Sequence, residues 1–181
     1  MSNLYDKVAV IACEELETVV GNQNIVEESH LPRLLYLEAV AKETLRIHPA
    51  APLLVPHMPS KTCVVAGYTI PKHSRVAWAT QRDPEFWEGP LEFEPERFLK
   101  DTEKGNYVGN NFHFFPIGSG RRTCVGIPLA EKMVAYVLAV LVYSFEWELP
   151  DIKEKLRFVL SKVESLAAIP IARLSIPQLY R

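Results

Sequence analysis

Cysteine is scarce and unpaired in this chain. The 181 residues hold three, Cys13, Cys63 and Cys124, far apart and odd in number. That pattern excludes a disulfide framework and fits a reducing compartment. An excess of charge of either sign is missing too. The net charge is −2, so nothing marks the chain as a nucleic-acid binder. A long hydrophobic run is also absent. The most apolar stretch, Met133 to Phe145, is interrupted at Ser144 and bounded by Lys132 and Glu146. It falls short of the roughly 20 residues of a membrane span, and a buried helix is expected there. The opening MSNLYDK runs straight into a charged, helix-like pattern, so no secretory leader is expected in it. No repeat or low-complexity stretch occurs. Zinc needs clustered ligands, but Cys63, His73, His113 and Cys124 lack C-x-x-C or H-x-x-H spacing. The loop G-S-G-R-R lacks the Lys and hydroxyl pair of a phosphate-binding loop.

What is present reads as one globular domain over residues 1–181, since 48% of residues are hydrophobic and 23% charged. Val8, Ile11, Ala12, Leu16 and Val19 recur at helical spacing from Asp6 to Val20, with Gly21 as the expected cap. A second helix is expected to open at Ser29 or His30 with Pro32 in its first turn. Leu34, Leu35, Leu37, Ala41 and Leu45 face inward, and His48-Pro49 ends it. From Pro52 to Ala77 the texture turns β-like: Cys63–Ala66, Gly67, Tyr68–Ile70, then Arg75–Ala77. Pro84 to Leu99 is irregular and aromatic, and Asp101 to Asn111 reads as a polar surface loop. Pro128 to Phe145 is the long apolar helix. Phe158 to Leu174 alternates weakly, as a hairpin would. The predicted class is mainly α with a small antiparallel β region.

The chemistry concentrates in F-F-P-I-G-S-G-R-R-T-C-V-G, Phe114 to Gly126. Cys124 lies in a Gly-rich loop just before the long helix. A thiolate there meets backbone N–H groups and the positive end of the helix dipole. Gly118, Gly120 and Gly126 let the backbone approach a flat, bulky group, and Arg121 and Arg122 suit anions on its rim. A cysteine so held can ligate haem iron. A lone free cysteine is otherwise most often a buried structural thiol, which is the expectation for Cys13 and Cys63. Glu43 and Arg46, three apart on one helix face, can pair; taken alone they are a surface ion pair worth about 0–1 kcal/mol.

This loop resembles the haem-binding loop of cytochromes P450, F-x-x-G-x-R-x-C-x-G. Gly120, Arg122, Cys124 and Gly126 fill its last four named positions, while Ile117 stands in place of the family Phe and keeps bulk without an aromatic face. K-E-T-L-R-I-H-P resembles the family helix carrying E-x-x-R, here Glu43 and Arg46. P-E-R-F resembles the segment that supplies the third member of that cluster, Arg97. Three motifs in the family's order make a joint match over the whole chain, with the texture of plant microsomal members and their secondary metabolism.

The resemblance implies the C-terminal part of the cytochrome P450 fold. It implies haem b bound through Cys124, with Arg122 on a propionate and His57 as a further propionate partner. The cluster Glu43, Arg46 and Arg97 would support the cysteine loop, with backbone carbonyls satisfying its surplus positive charge. The implied reaction is monooxygenation: one oxygen atom from O2 enters a small hydrophobic substrate, with electrons from NADPH through NADPH-cytochrome P450 reductase. Arg121 and Lys132 would face that partner. Ala51, Leu53, Leu54, Val55, Leu166 and Ala167 match substrate-lining segments. Full-length relatives sit on the cytoplasmic face of the endoplasmic reticulum membrane. Against the family pattern, the membrane anchor and the central oxygen-activating helix are expected to be absent from these 181 residues, and no membrane span is expected in them. About three residues are missing between Val76 and Arg82, Gln81 replaces a frequent His, and His73 occupies a turn position where relatives favour Gly. The alternative to a working monooxygenase is a truncated, non-catalytic remnant that holds haem weakly and exposes an apolar patch beyond the few hundred Å² usual for a monomer.

Overall fold

In a computed structural model, residues 2–77, 81–100, 107, 113–148, 154–155, 161–162 and 168–180 are described. Helix α1 spans Ser2–Val20, and a 3-10 helix follows at Glu28–Arg33. Helix α2 spans Leu35–Ile47, α3 Arg97–Lys100 and α4 Ile127–Ser144. Strands β1 (Cys63–Val65) and β2 (Tyr68–Ile70) form an antiparallel hairpin. Strand β3 (Phe145–Glu148) pairs with β6 (Ile169–Ala172), and β4 (Glu154–Lys155) with β5 (Ser161–Lys162), both antiparallel. The expected mainly helical chain with small antiparallel sheets is what forms.

Helix α1 buries Val8, Ala12, Leu16 and Val20, a four-residue spacing that lines one face. That face meets Leu34 and Leu37 near and on α2, and Ala139 and Tyr143 on α4. Gly21 closes α1 with φ +86, in the left-handed region that only glycine enters without strain. Helix α2 has no side-chain cap of its own. Glu15 of α1 takes that role: its carboxylate accepts from Tyr36 N at 2.7 Å and Leu37 N at 2.9 Å. A second cluster, Ala39, Trp87, Phe98, Tyr107, Phe114 and Ile127, packs beneath the cysteine loop. The Phe98 and Phe114 rings meet at 5.1 Å between centroids, tilted by 59°.

Several expectations are corrected. Pro32 lies inside the 3-10 helix, and α2 begins only at Leu35, since the tighter turn tolerates a proline that an α-helix interior would not. Leu35 points to solvent. The long helix is not buried: Leu129, Met133, Val134, Tyr136, Val137 and Leu141 are all more than a third exposed. By length and composition alone α4 would pass for a membrane span, although Lys132 and Glu131 interrupt it. Phe145 begins a strand, and the tail does not fold only on itself: Ile169–Ala172 returns to pair with residues 145–148. Cys63 lies exposed on the hairpin and Cys13 is half-buried, so neither is the buried thiol expected. The predicted strand at Arg75–Ala77 reduces to one bridge, His57 to Val76. The expected loop 101–111 and the shortened stretch at 78–80 lie largely outside the described residues; Tyr107 within the loop is buried. His73 does adopt φ +68, a left-handed geometry that costs a non-glycine residue.

Candidate functional site

The loop that carries Cys124 is shaped by backbone bonds. Phe114, Phe115 and Pro116 are buried and anchor its entry. Gly118 and Gly120 have φ +86 and +64, so the chain reverses there in a geometry suited to glycine. A short 3-10 turn, Gly120–Arg122, follows, and Cys124 N–H donates to Ile117 O at 3.2 Å. This pins the cysteine beside Ile117 and three residues ahead of α4, with Gly126 at the helix cap. Cys124 itself is exposed.

A cleft of about 510 Å³ opens over the loop. Ile117, Gly118, Ser119, Arg122 and Cys124 form its floor. Ala51, Leu54, Val55 and His57 form one wall. Leu45 of α2, Ala130, Glu131 and Val134 of α4, Tyr107, Ala50 and Pro116 complete it. The structure therefore brings together Cys124, Arg122, Ile117, His57, Ala51, Leu54 and Val55. Leu53 is not among the lining residues; it is exposed. Leu166 and Ala167 lie outside the described residues. Gly120 and Gly126 sit within the loop without lining the cleft. A side chain on Gly126 would meet Cys124 Sγ at 3.6 Å, an ordinary contact, so its spacing is not sterically forced.

Sequence reasoning missed Leu45, Tyr107, Ala130, Glu131 and Val134. The signal was available on α4, where Ala130 and Val134 are four apart and share a face. Tyr107 and Glu131 also line a neighbouring cavity of about 480 Å³, together with Glu38 and Lys42. Burial, reinforced by Glu38 and opposed by Lys42, raises the Glu131 carboxyl. Burial first, then Glu38 and Glu131, holds the Tyr107 phenol neutral well above its ordinary range.

Behind the loop lies the charged cluster. Glu43 and Arg46 are fully buried. Glu43 accepts from Arg46 Nε and NH2 at 2.8 Å each, from Glu94 N at 2.9 Å and from Arg97 Nε at 3.2 Å, which fills its lone-pair sites. Arg46 places its remaining donors on the carbonyls of Gln81 (3.1 Å), Pro90 (2.8 Å) and Glu92 (3.1 Å). Arg97 also donates to Glu88 O at 3.0 Å, and its buried Nη2, which makes no hydrogen bond, lies 3.2 Å from the Glu94 carboxylate as an ion pair. Glu94, which sequence reasoning passed over, joins the carbonyls in balancing the second guanidinium. Both guanidiniums also approach the Trp87 ring, at 5.0 and 5.9 Å. The cluster ties α2 to the irregular segment 81–97, which in turn packs Trp87 and Phe98 against Phe114 at the entry of the cysteine loop.

The Cytochrome P450 family profile matches residues 7–170. The chain belongs to the cytochrome P450 family. This P450 chain is 45% identical over 174 residues to iridoid oxidase of Catharanthus roseus, covering 90% of the chain and 33% of that relative. It is 44% identical over 172 residues to flavonoid 3',5'-hydroxylase 2 of Petunia hybrida, covering 90% of the chain and 34% of the relative. It is 51% identical over 150 residues to berbamunine synthase of Berberis stolonifera, covering 81% and 30%. A solved zebrafish cytochrome P450 structure with abiraterone superposes with a TM-score of 0.78 at 29% identity, covering 93% of this chain and 40% of that one. The P450 chain thus spans about a third of the length of the curated relatives it matches. Family membership implies a haem cofactor.

Proposed function

We propose that this chain supplies the thiolate side of the haem site of a plant monooxygenase, with Cys124 as the iron ligand. The cleft carries the proposal. A porphyrin brings four nitrogen ligands of its own, so the protein need offer only one soft donor at the floor of an apolar slot. Among the described residues no group of three His, Cys, Asp or Glu stands ready to hold a bare metal ion. One cysteine does sit on the floor of an apolar cleft, flanked by Arg122 and His57. The residues present fit haem b.

When bound, haem supplies oxygen activation for insertion of one O2 atom into an organic substrate. The chain's own parts have separate tasks. The backbone turn at Gly118–Gly120 and the Cys124 N–H bond to Ile117 O fix the direction of the sulfur. The sulfur's residue stands three positions ahead of α4, at the N-terminal end of that helix. Arg122, with His57 as a second contact, pairs with the propionates. Glu43, Arg46 and Arg97 hold the segment that supports the loop. Ala51, Leu54 and Val55 give the wall an apolar surface, which selects a hydrophobic substrate. The relatives named iridoid oxidase and flavonoid 3',5'-hydroxylase 2 support a substrate among plant specialised metabolites. NADPH-cytochrome P450 reductase is the electron donor, docking near exposed Arg121; Lys132 is exposed but paired with Glu28.

The test is a carbon monoxide difference spectrum of the reduced, haem-reconstituted chain. A thiolate-type Soret band that disappears in Cys124→Ala supports the reading. A histidine-type band, or none, leaves a non-catalytic relative.

A further inference from the structure

The cavity beside the cysteine cleft, of about 480 Å³, lies where the 3-10 helix Glu28–Arg33, α2 and α4 come together. Its volume falls within the roughly 300–1,000 Å³ of small-molecule sites. Leu31, Pro32, Leu34, Leu37 and Ala41 give it an apolar wall. Glu38 and Lys42 of α2, Glu131 and Lys132 of α4, and Tyr107 give it a polar one.

The charges on the polar wall do not cancel. Lys42 Nζ lies 2.6 Å from the Glu38 carboxylate, one turn away on α2. Lys132 Nζ lies 2.5 Å from the Glu28 carboxylate. Each lysine is thus taken by a carboxylate of its own. Among the described residues, Glu131 is left with no hydrogen bond and no ion pair. Burial and the neighbouring Glu38 outweigh the pull of Lys42 on its carboxyl. Tyr107 is only 8% exposed, with its ring 5.7 Å from Phe114 and 5.5 Å from Lys42 Nζ. Its hydroxyl also lacks a hydrogen-bond partner among the described residues, although Glu38 and Glu131 both act on it. An unpaired carboxylate and an unpaired phenol beside an apolar wall narrow the class of occupant. An anion is repelled by Glu38 and Glu131. A neutral molecule would dry the Glu131 carboxylate without giving it a counter-charge. A bare metal ion needs more ligands, and no group of three His, Cys, Asp or Glu is available among the described residues. A protonated amine on a hydrocarbon body supplies both missing parts. Its N–H groups donate to the carboxylate and to the phenol oxygen, and its carbon chain covers the apolar wall.

We propose that this second cavity binds a small amphiphilic ammonium ion, with Glu131 as its counter-charge and Tyr107 as its second polar contact. Tyr107, Glu131 and Val134 line the cysteine cleft as well, so the occupant rests against three residues of that cleft's wall. Glu131 must be ionised to pair with it. The Glu131 proton is held above the ordinary 4.5, so binding strengthens as pH rises through that raised value. The proposal is independent of the cysteine reading.

Titration of the full chain with n-hexylammonium, followed by two-dimensional NMR, tests it, with 1-hexanol and hexanoate as matched controls. The ammonium is expected to bind at least about fivefold more tightly than the alcohol, and hexanoate more weakly than either. Added salt should weaken the ammonium alone, and the Tyr107 ring resonances should shift with occupancy. Glu131→Gln is expected to bring the ammonium down to the level of the alcohol, with circular dichroism unchanged. Ala135 lines this cavity and not the cleft, whereas Ala51 lines the cleft alone. Ala135→Phe is therefore expected to abolish binding and Ala51→Phe to leave it intact. Four results would overturn the proposal. One is ammonium and alcohol binding alike. Another is a preference for the ammonium that survives in Glu131→Gln. A third is loss of binding in Ala51→Phe but not in Ala135→Phe, which moves the ligand to the cysteine cleft. The last is a titration that never saturates.

Discussion

Two arginine-bearing regions lie within one cluster of contacts of each other and differ in almost every respect. Arg46 is fully buried, and Arg97 nearly so; their donors go to carboxylates and carbonyls of the chain itself. Arg121 and Arg122 are exposed beside a cleft. Burying a guanidinium demands a full set of acceptors, and a site that meets the demand becomes rigid. An exposed guanidinium makes no such demand, because water supplies its acceptors. The chain invests its structural certainty behind the cysteine loop and keeps the loop's own face open.

That contrast fixes the order of effects expected from substitution. Arg46→Ala leaves the buried Glu43 carboxylate with Arg97 as its one remaining counter-charge among the described residues and strips the Gln81, Pro90 and Glu92 carbonyls of their donor, and a loss of about 3–5 kcal/mol in denaturant unfolding is expected. Such a loss leaves many domains unfolded. If Arg46→Ala unfolded like the parent, the distinction between the two regions would fail. A smaller, opposite change is expected at His73. His73→Gly relieves a φ of +68 and should stabilise the chain by about 1 kcal/mol in the same measurement, with the Pro59 bond intact.

Glu131 sharpens the comparison at the cleft edge. Its folded pKa lies above the ordinary 4.5, with burial as the main cause. The folded state therefore holds its proton more tightly than the unfolded state does. The associated stability is fully present below pH 4.5 and is lost as pH rises through the raised folded value. Glu131→Gln should remove that loss, giving a slightly higher Tm at neutral pH and no gain below pH 4.5. Cys124→Ala should do least to the fold. The thiol is exposed, so the unfolding midpoint should move by no more than about 0.5 kcal/mol, while the thiolate-type spectrum is lost. A large destabilisation there would make Cys124 a structural thiol.

The sequence made the helices and the motif residues readable because those signals are local. Apolar spacing on α1, Gly21 at its end and the glycines around Cys124 each act within a few residues. Even His73 was legible, since a turn that favours glycine strains whatever else occupies it. What escaped was set by distant partners. The cap of α2 is Glu15, twenty residues upstream, and no local pattern at Leu34 announces it. The long helix looked buried because hydropathy records what a side chain prefers, not whether a neighbour arrives to cover it. Phe145 looked like the end of that helix, but it opens β3, beside which residues 169–172 return. Glu94 and Trp87 joined the charged cluster through folding of an irregular segment whose shape no periodicity encodes. Leu53 failed as a cleft residue because an irregular segment turns neighbouring side chains different ways; Leu54, next to it, takes φ +54 and lines the cleft.

Every one of the five N–H bonds of Arg46 has an acceptor, and three of those acceptors are main-chain oxygens spread from Gln81 to Glu92. The Glu94 amide, bound to the same carboxylate, closes the circuit. A stretch with little regular structure is thereby denied small, piecemeal openings. In deuterium exchange its Glu94 amide should behave like the centre of a helix, trading its hydrogen only when the whole assembly comes apart.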